Sequence, residues 1–336
     1  MSGVAFGKDM EPVLLRPVYK DYLWGGSAIA GRFRRSDAPA QCAESWEVST
    51  HEDGMSLVEG GAFDGATLGE LCDAFGGSLL GSWCESSSFP LLVKLIDASK
   101  RLSVQVHPGD EAAEKFGGEA KTEMWYFIDA ADGAMVCAGL KKGVTPRVFS
   151  DAVKARTVPS LLRTVKAERG KALYVPGGLV HAICEGCFVL EVQQRSNTTW
   201  RVDDWGRVAA DGKPRPLHVA RAMEVIDWHA PAVSLSTPYS MPSASSCNLR
   251  ERVLRSDYFS MERWTLSGPE RFVQDGSSFR VLFALSGDFA VKTPSGAEFE
   301  IPFGRSCLVP ARMGECTVSP RAGTASEPET VLSITL

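Results

Sequence analysis

Histidine is scarce in this 336-residue chain, with five, at positions 51, 107, 181, 218 and 229. Two of them stand among other residues able to donate electron pairs. In Ser103-Val-Gln105-Val-His107-Pro the serine, glutamine and histidine fall on alternate positions. Alternate residues of a strand share a face, so these three point the same way. Lys121-Thr-Glu123 repeats the spacing, and its lysine and glutamate share a face if the strand reaches back to 121. His181 opens a strand-like run shortly after the pair Gly177-Gly178. A glutamine carbonyl, two imidazoles and a carboxylate form a mixed nitrogen and oxygen set suited to a divalent metal such as Zn2+. The plainer alternative is a satisfied histidine at a strand end beside solvated Lys121 and Glu123. Gln-x-His and Lys-x-Glu are weak signals singly and gain weight only together.

Two further charges interrupt apolar runs. Lys94 stands inside PLLVKLI (90–96), and a lysine in such a run is rarely buried without a partner, which favours a functional reading. Glu191 is the single carboxylate of CFVLEVQQ (187–194). Burial there would raise its pKa towards the range of a general base, and a paired structural carboxylate is the equal alternative. The nine cysteines include one CxxC, Cys184 to Cys187. With no second pair it makes a poor closed zinc site and reads as two free thiols beside a glycine turn.

The elements that must hold these residues are mostly strands. PLLVKLI, SVQVH (103–107), EMWYFID (123–129), AMVCAGL (134–140), KALYVP (171–176), HAICEG (181–186) and CFVLEVQQ are each bounded by Gly, Pro or Asp, as strands are. Short helices are expected at 67–76, at 110–118 with Asp110 as cap, and across 145–163 with a break before Pro159. The Pro- and Ser-rich segment 211–248 reads as a connection with little structure of its own. GKALYVPGGLVHAI (170–183) echoes GRSCLVPARMGECTV (304–318), with Glu315 where the first copy has His181. These patterns predict a mainly β chain of two cupin-type (jelly-roll) β-barrels with a few short helices. The division expected is 1–225 for a domain with the metal site and 226–336 for a metal-free second one.

Composition narrows the function. Net charge is −5 with 23% charged residues, so no basic field recruits nucleic acid or an anionic membrane. No signal peptide or transmembrane run is evident, and an odd, irregular cysteine set fits a reducing, cytoplasmic location. An anionic substrate would need locally placed Lys or Arg.

Several blocks in order carry a resemblance: PVYKDYLWGG (17–26), AESWEVS (43–49), FPLLVKLIDASKRLSVQVHP (89–108), KTEMWYF (121–127), YVPGGLVHAI (174–183) and LEVQQRSNTTWRVDDWGR (190–207). The chain resembles type I mannose-6-phosphate isomerase in its short bacterial form, over most of residues 12–210. The resemblance implies a zinc-dependent exchange of mannose 6-phosphate and fructose 6-phosphate through a cis-enediolate, with one Zn2+ per chain. It implies Gln105, His107, Glu123 and His181 as metal ligands. It places Lys94, Ser103 and Lys121 at the phosphosugar, matches Trp24 and Trp46 to family tryptophans, and makes Arg201 the catalytic arginine. The base stays open among Glu191, a metal-bound water and a ligand-side group. For Arg201 the ordinary alternative is an ion pair with Asp203 or Asp204. The run VDDWGR departs from the family pattern and leaves Asp203, Asp204 and Arg207 without assigned roles. His51 is a marginal pocket residue, and His218 and His229, in the irregular connection, are expected to have structural or surface roles. A non-catalytic sugar-phosphate-binding cupin and an Fe(II) cupin oxygenase are the competing readings. The sequence sets no oligomeric state, and a monomer is compatible with it.

Overall fold

The computed structural model describes residues 10–208, 212–321 and 328–336. The stretch 1–9, read above for a leader, and Asp211, which opens the irregular connection, lie outside the described residues. Strands dominate, and the chain sorts into two compact units that interleave in sequence. One combines Tyr19–Ser45 with Val93–Ser236; the other combines Met1–Val18, Trp46–Leu92 and Thr237–Leu336. The expected division at residue 225 differs from this arrangement. The strand Val13–Arg16 pairs antiparallel with Ser306–Val309, Val13 opposite Leu308, and local composition cannot reveal so distant a pairing.

In the first unit one sheet runs in the order Ala172–Val175, Glu123–Ala130, Cys187–Gln194, Leu91–Ala98. A second sheet has the order Leu162–Lys166, Met135–Leu140, His181–Ile183, Val104–Val106, Trp200–Asp203. The two face each other across Ile96, Leu102, Trp125, Phe127, Val136, Leu173, Ile183 and Val189. Burying each large apolar side chain contributes roughly 1.5–3 kcal/mol. Residues of opposite parity on the second sheet, Val104, Val106, Ala182 and Val202, face the other way. They pack with Phe149 and Ala152 of the helix Pro146–Ala155 and with Ala222 and Val225 of the helix Val219–Val225. The inward rows therefore run from apolar residues in the middle to polar ones at one end. Ile96 and Ala98 share a face with Lys94, Trp125 and Phe127 with Glu123, Val189 with Glu191, and Ile183 with His181.

The helices end where local chemistry ends them. Thr145 accepts a hydrogen bond from the Val148 N–H, Pro146 opens the first turn, and Arg156 closes the helix in a left-handed conformation at φ 57°. The helix Asp110–Phe116 is capped by Gly109 instead of Asp110, which lies in the first turn with Glu111; acidic side chains there suit the helix dipole. The connection 211–248 is more structured than its composition suggests, holding the helix Val219–Val225 and the strand Tyr239–Met241. Only Ala222 and Val225 of that seven-residue helix are buried, too few for a visible period.

The second unit repeats the plan. Its larger sheet takes the order Tyr239–Met241, Leu249–Arg255, Ser260–Leu266, Glu329–Thr335, Arg280–Ser286, Ser306–Val309, Val13–Arg16, Leu57–Glu59. Its smaller sheet takes the order Glu270–Gln274, Gly314–Pro320, Phe289–Lys292, Glu298–Ile301. Trp264, Leu282, Val309 and Val331 of the one pack on Phe272, Phe289, Ile301 and Val318 of the other. Both Val-Pro corners carry the chain from one sheet of a unit to its partner sheet. The inward parity differs after them: His181 points in, whereas Glu315 is exposed and Cys316 is buried. The architecture is the expected mainly β, cupin kind with six α-helices among the described residues. Its sheets form open sandwiches where closed barrels were expected. No described helix is long and apolar enough to cross a membrane.

Candidate active site

The polar end of the first sandwich collects residues from seven strands and the loops beside them. Register brings them together: Gln105 lies opposite both His181 and Arg201, and Glu123 lies opposite Gln193 and Val175. The Nε2 atoms of His107 and His181 are 3.2 Å apart. A Glu123 oxygen lies 3.3 Å from His181 Nε2 and the other 3.6 Å from His107 Nε2. The Gln105 amide nitrogen is 3.3 Å from His181 Nε2, and a turned amide would present its oxygen to the same point. His181 Nδ1–H donates to the Leu179 carbonyl at 2.8 Å, which leaves Nε2 with its lone pair facing inward. Burial, with Lys121 next, lowers the His107 pKa well below its usual value, and burial brings that of His181 down to about 4. Both rings are thus neutral donors near pH 7. Neither Glu123 oxygen receives a well-directed hydrogen bond. His107, Glu123 and His181 offer two neutral imidazole nitrogens and a carboxylate oxygen, all within 4.8 Å of one another, and this buried donor set fits a divalent metal.

Beside this group lies a cavity of about 210 Å³. Its walls include Trp24, Lys94, Ser103, Gln105, Lys121, Glu191 and Arg201, all singled out by sequence, and also Glu44, Trp125 and Arg215, which were not. Lys94 Nζ is 3.0 Å from Glu191 and 3.4 Å from Glu44. Burial opposes its charge, but Glu191 and then Glu44 outweigh burial and hold the pKa above the ordinary lysine value. Lys121 Nζ lies 2.7 Å from Glu123, 3.0 Å from His107 Nε2 and 3.8 Å from Glu191. The second oxygen of Glu191 accepts from the Trp125 indole at 2.9 Å. The expected rise in the Glu191 pKa is therefore reversed. Burial does push it up, but Lys94 and Lys121 pull it below the usual carboxylate value. Glu123 is the raised one, through burial and then the charge of Glu191.

Arg201 is not tied to Asp203 or Asp204. Asp203 accepts from the Trp205 N–H at 2.7 Å, and Asp204 is held by Arg207 and by Arg215 Nε at 2.8 Å. Arg201 donates one NH to the Pro216 carbonyl at 2.9 Å, and its buried Nε has no partner. Burial and then Arg215 lower its pKa. Arg215 also lies over the Trp24 ring, 5.4 Å from the centroid. Two guanidiniums on one carboxylate, next to Arg201, leave this wall with surplus positive charge. Arg215 escaped the sequence reading because it stands in the Pro-rich connection. Glu44 lay in a quoted block, but nothing local shows that a lysine fifty positions on will reach it.

The remaining candidates fall elsewhere. His51 and Trp46 belong to the second unit, with rings 6.0 Å apart edge to face. His218 accepts the Arg201 N–H through Nδ1 at 3.2 Å and so fixes that strand end, and His229 is exposed. Cys184 and Cys187 are free thiols, Cys184 4.0 Å from Cys137.

Residues 13–140 match the family model described as phosphomannose isomerase type I, catalytic domain. A relative from Bacillus subtilis (strain 168), the probable mannose-6-phosphate isomerase GmuF, is 36% identical across 92% of this chain and 96% of its own. The chain belongs to the type I phosphomannose isomerases. It is accordingly an enzyme of the mannose-6-phosphate isomerase class. A second phosphomannose isomerase of the same bacterium, ManA, is 34% identical over 92% of this chain and 98% of its own. Residues 250–326 match the mannose-6-phosphate isomerase cupin domain. The crystal structure of the mannose 6-phosphate isomerase from Bacillus subtilis superposes with a TM-score of 0.84 at 30% identity, covering 97% of this chain and 100% of that one. A mannose 6-phosphate isomerase bound with zinc and yttrium shares the fold, with a TM-score of 0.71 at 15% identity over 97% of this chain and 99% of that one.

Proposed function

We propose that this phosphomannose isomerase is zinc-dependent and interconverts mannose 6-phosphate and fructose 6-phosphate by moving a proton between C1 and C2 through a cis-enediolate. The observation that carries the reading is the convergence of two neutral imidazoles and a buried carboxylate beside a cavity walled by two lysines and an arginine whose Nε has no hydrogen-bond partner. Gln105, His107, Glu123 and His181 would hold the metal, whose charge when bound favours the developing oxyanion by several kcal/mol. A related isomerase binds zinc, and the donor set here suits that ion.

The other roles belong to side chains. Glu191, kept ionised by Lys94 and Lys121, would accept the proton from carbon and return it to the neighbouring carbon. Arg201, which forms no ion pair with a carboxylate among the described residues, would face the developing negative oxygen. Lys94, Ser103, Lys121 and Trp24 contact the substrate, and Arg215 adds positive charge to the wall that a phosphate dianion would meet. Binding the remote phosphate orients the reacting carbons.

The test is a coupled isomerase assay on metal-loaded enzyme, on enzyme stripped by chelator, and on stripped enzyme with Zn2+ returned. Turnover is expected to vanish and return. Arg201→Ala should keep its zinc by elemental analysis and lose on the order of 10²-fold in kcat. Zinc-loaded enzyme that binds mannose 6-phosphate without turning it over would instead make the chain a phosphosugar-binding cupin, and iron as the native metal would reopen the oxygenase reading.

A further inference from the structure

The second unit has a polar sandwich end of its own. Its inward rows repeat the pattern of the first: Leu282 and Ala284 share a face with Arg280, Trp264 with Glu262, Val331 with Ser333, and Phe272 with Gln274. These polar residues line a cavity of about 230 Å³ together with Arg252, Ser260 and Ser278. Arg280 is the unusual member. Its guanidinium lies between the Trp264 and Phe272 rings, 5.2 Å from each centroid. It donates through Nε to Gln274 Oε1 at 3.0 Å and through an NH to the Ser333 hydroxyl. Both partners are neutral. Among the described residues no carboxylate forms an ion pair with it. Glu262, the nearest candidate on the same face, is already held by Arg250 at 2.6 Å and Arg252 at 2.8 Å. Burial lowers the Arg280 pKa to about 10, which leaves it charged at neutral pH. Glu262 offsets part of its charge from a distance without pairing with it, so the guanidinium keeps room for a further acceptor. On the cavity wall Arg252, Arg255 and Arg280 stand against Glu262 and Asp275. Hydroxyls of Ser260, Ser278 and Ser333 add donors suited to oxygen atoms.

We propose that this cavity is an anion site, with Arg280 and Arg252 taking the oxygens of a phosphate group, free or as a phosphate monoester. A guanidinium fork matches phosphate geometry, and the serine hydroxyls complete the donor set. No metal donor set is involved, since His, Cys, Asp and Glu do not cluster here among the described residues as they do around His107.

Calorimetric titration of the zinc-loaded full chain carrying Arg201→Ala reads the site as the part of the phosphate heat that substitutions in the second unit remove, because Lys94, Ser103 and Lys121 still line the cavity of the first. Inorganic phosphate is expected to bind with measurable heat. Adding Arg280→Lys, which keeps the charge but removes the fork, should weaken that binding on the order of tenfold. Adding Arg252→Gln should weaken it similarly, and thermal melts identify which variants stay folded. Equal affinity for inorganic phosphate and mannose 6-phosphate would assign free phosphate, and tighter binding of the sugar would assign a monoester; both support the site. No phosphate binding to the Arg201→Ala chain, or unchanged affinity in folded Arg280→Lys and Arg252→Gln, would overturn it. Neither result bears on the isomerase assay.

Discussion

Lys94 shows how a side chain can be found by sequence and still be misjudged. Its position in an apolar run announced that it needs a partner, and the partner was expected to be substrate phosphate. The structure places it against Glu191 and Glu44 instead. Its first effect is then electrostatic. Burial raises the Glu191 pKa, and Lys94 supplies the largest opposing pull. In Lys94→Met that pull is gone, so the Glu191 pKa rises and the fraction ionised at a given acidic pH falls. The acidic limb of the kcat/KM profile should move to higher pH, with kcat lowered about tenfold or more. A pure phosphate contact would raise KM and leave the limb where it is, and pH–rate profiles separate the two. Residue type and spacing were enough to nominate Gln105, His107, Glu123 and His181. They could not show that Glu191 is held ionised, because that depends on an ammonium from another strand.

At the scale of elements, the site depends on how closely two corners approach. Gly177 precedes His181, and the loop after His107 passes directly over it. A Cβ on Gly177 would lie 2.5 Å from the Gly109 Cα and 2.9 Å from the Pro108 carbonyl carbon. Gly178 holds φ at +86°, and its N–H donates to the His107 carbonyl at 2.8 Å. Gly177→Ala must push these corners apart, since backbone cannot yield as a flexible side chain can. We expect the variant to fold, to lose about 10–100-fold in zinc affinity, and to recover activity only at raised zinc. Metal titration against a chromophoric competitor measures it, and an unchanged affinity would show that the corners are not coupled. Strand positions, the helix 67–76 and the Gly-Gly corner were legible because period and punctuation are local. The helix Val219–Val225 was not, with two buried residues in seven.

For the molecule as a whole, acid stability should be governed in the second unit by Glu262. Burial works against its charge, but Arg250 and then the Trp264 indole hold its pKa down at about 2 from an ordinary 4.5. A depressed carboxylate stabilises the fold above its unfolded pKa and loses that contribution as pH falls towards the folded one. The contribution is of order 3 kcal/mol and should fade between about pH 5 and 2. Glu262→Gln leaves Arg250 and Arg252 without their shared partner, so neutral stability should drop by roughly 3–5 kcal/mol. The fall in melting temperature on acidification should flatten as well. A variant with the parent's melting curve at every pH would remove Glu262 from this role. The amino-acid sequence by itself determined the mainly β character, the donor residues and the family blocks, because alternation, turn chemistry and residue type are carried by neighbouring positions. Tertiary structure alone decided that the units interleave, that Arg215 joins Arg201, that Lys94 faces carboxylates, and that Arg280 forms no ion pair among the described residues. Each of those is a pairing between distant segments, and charge balance in a low-dielectric interior is a property of the pairings rather than of any one residue.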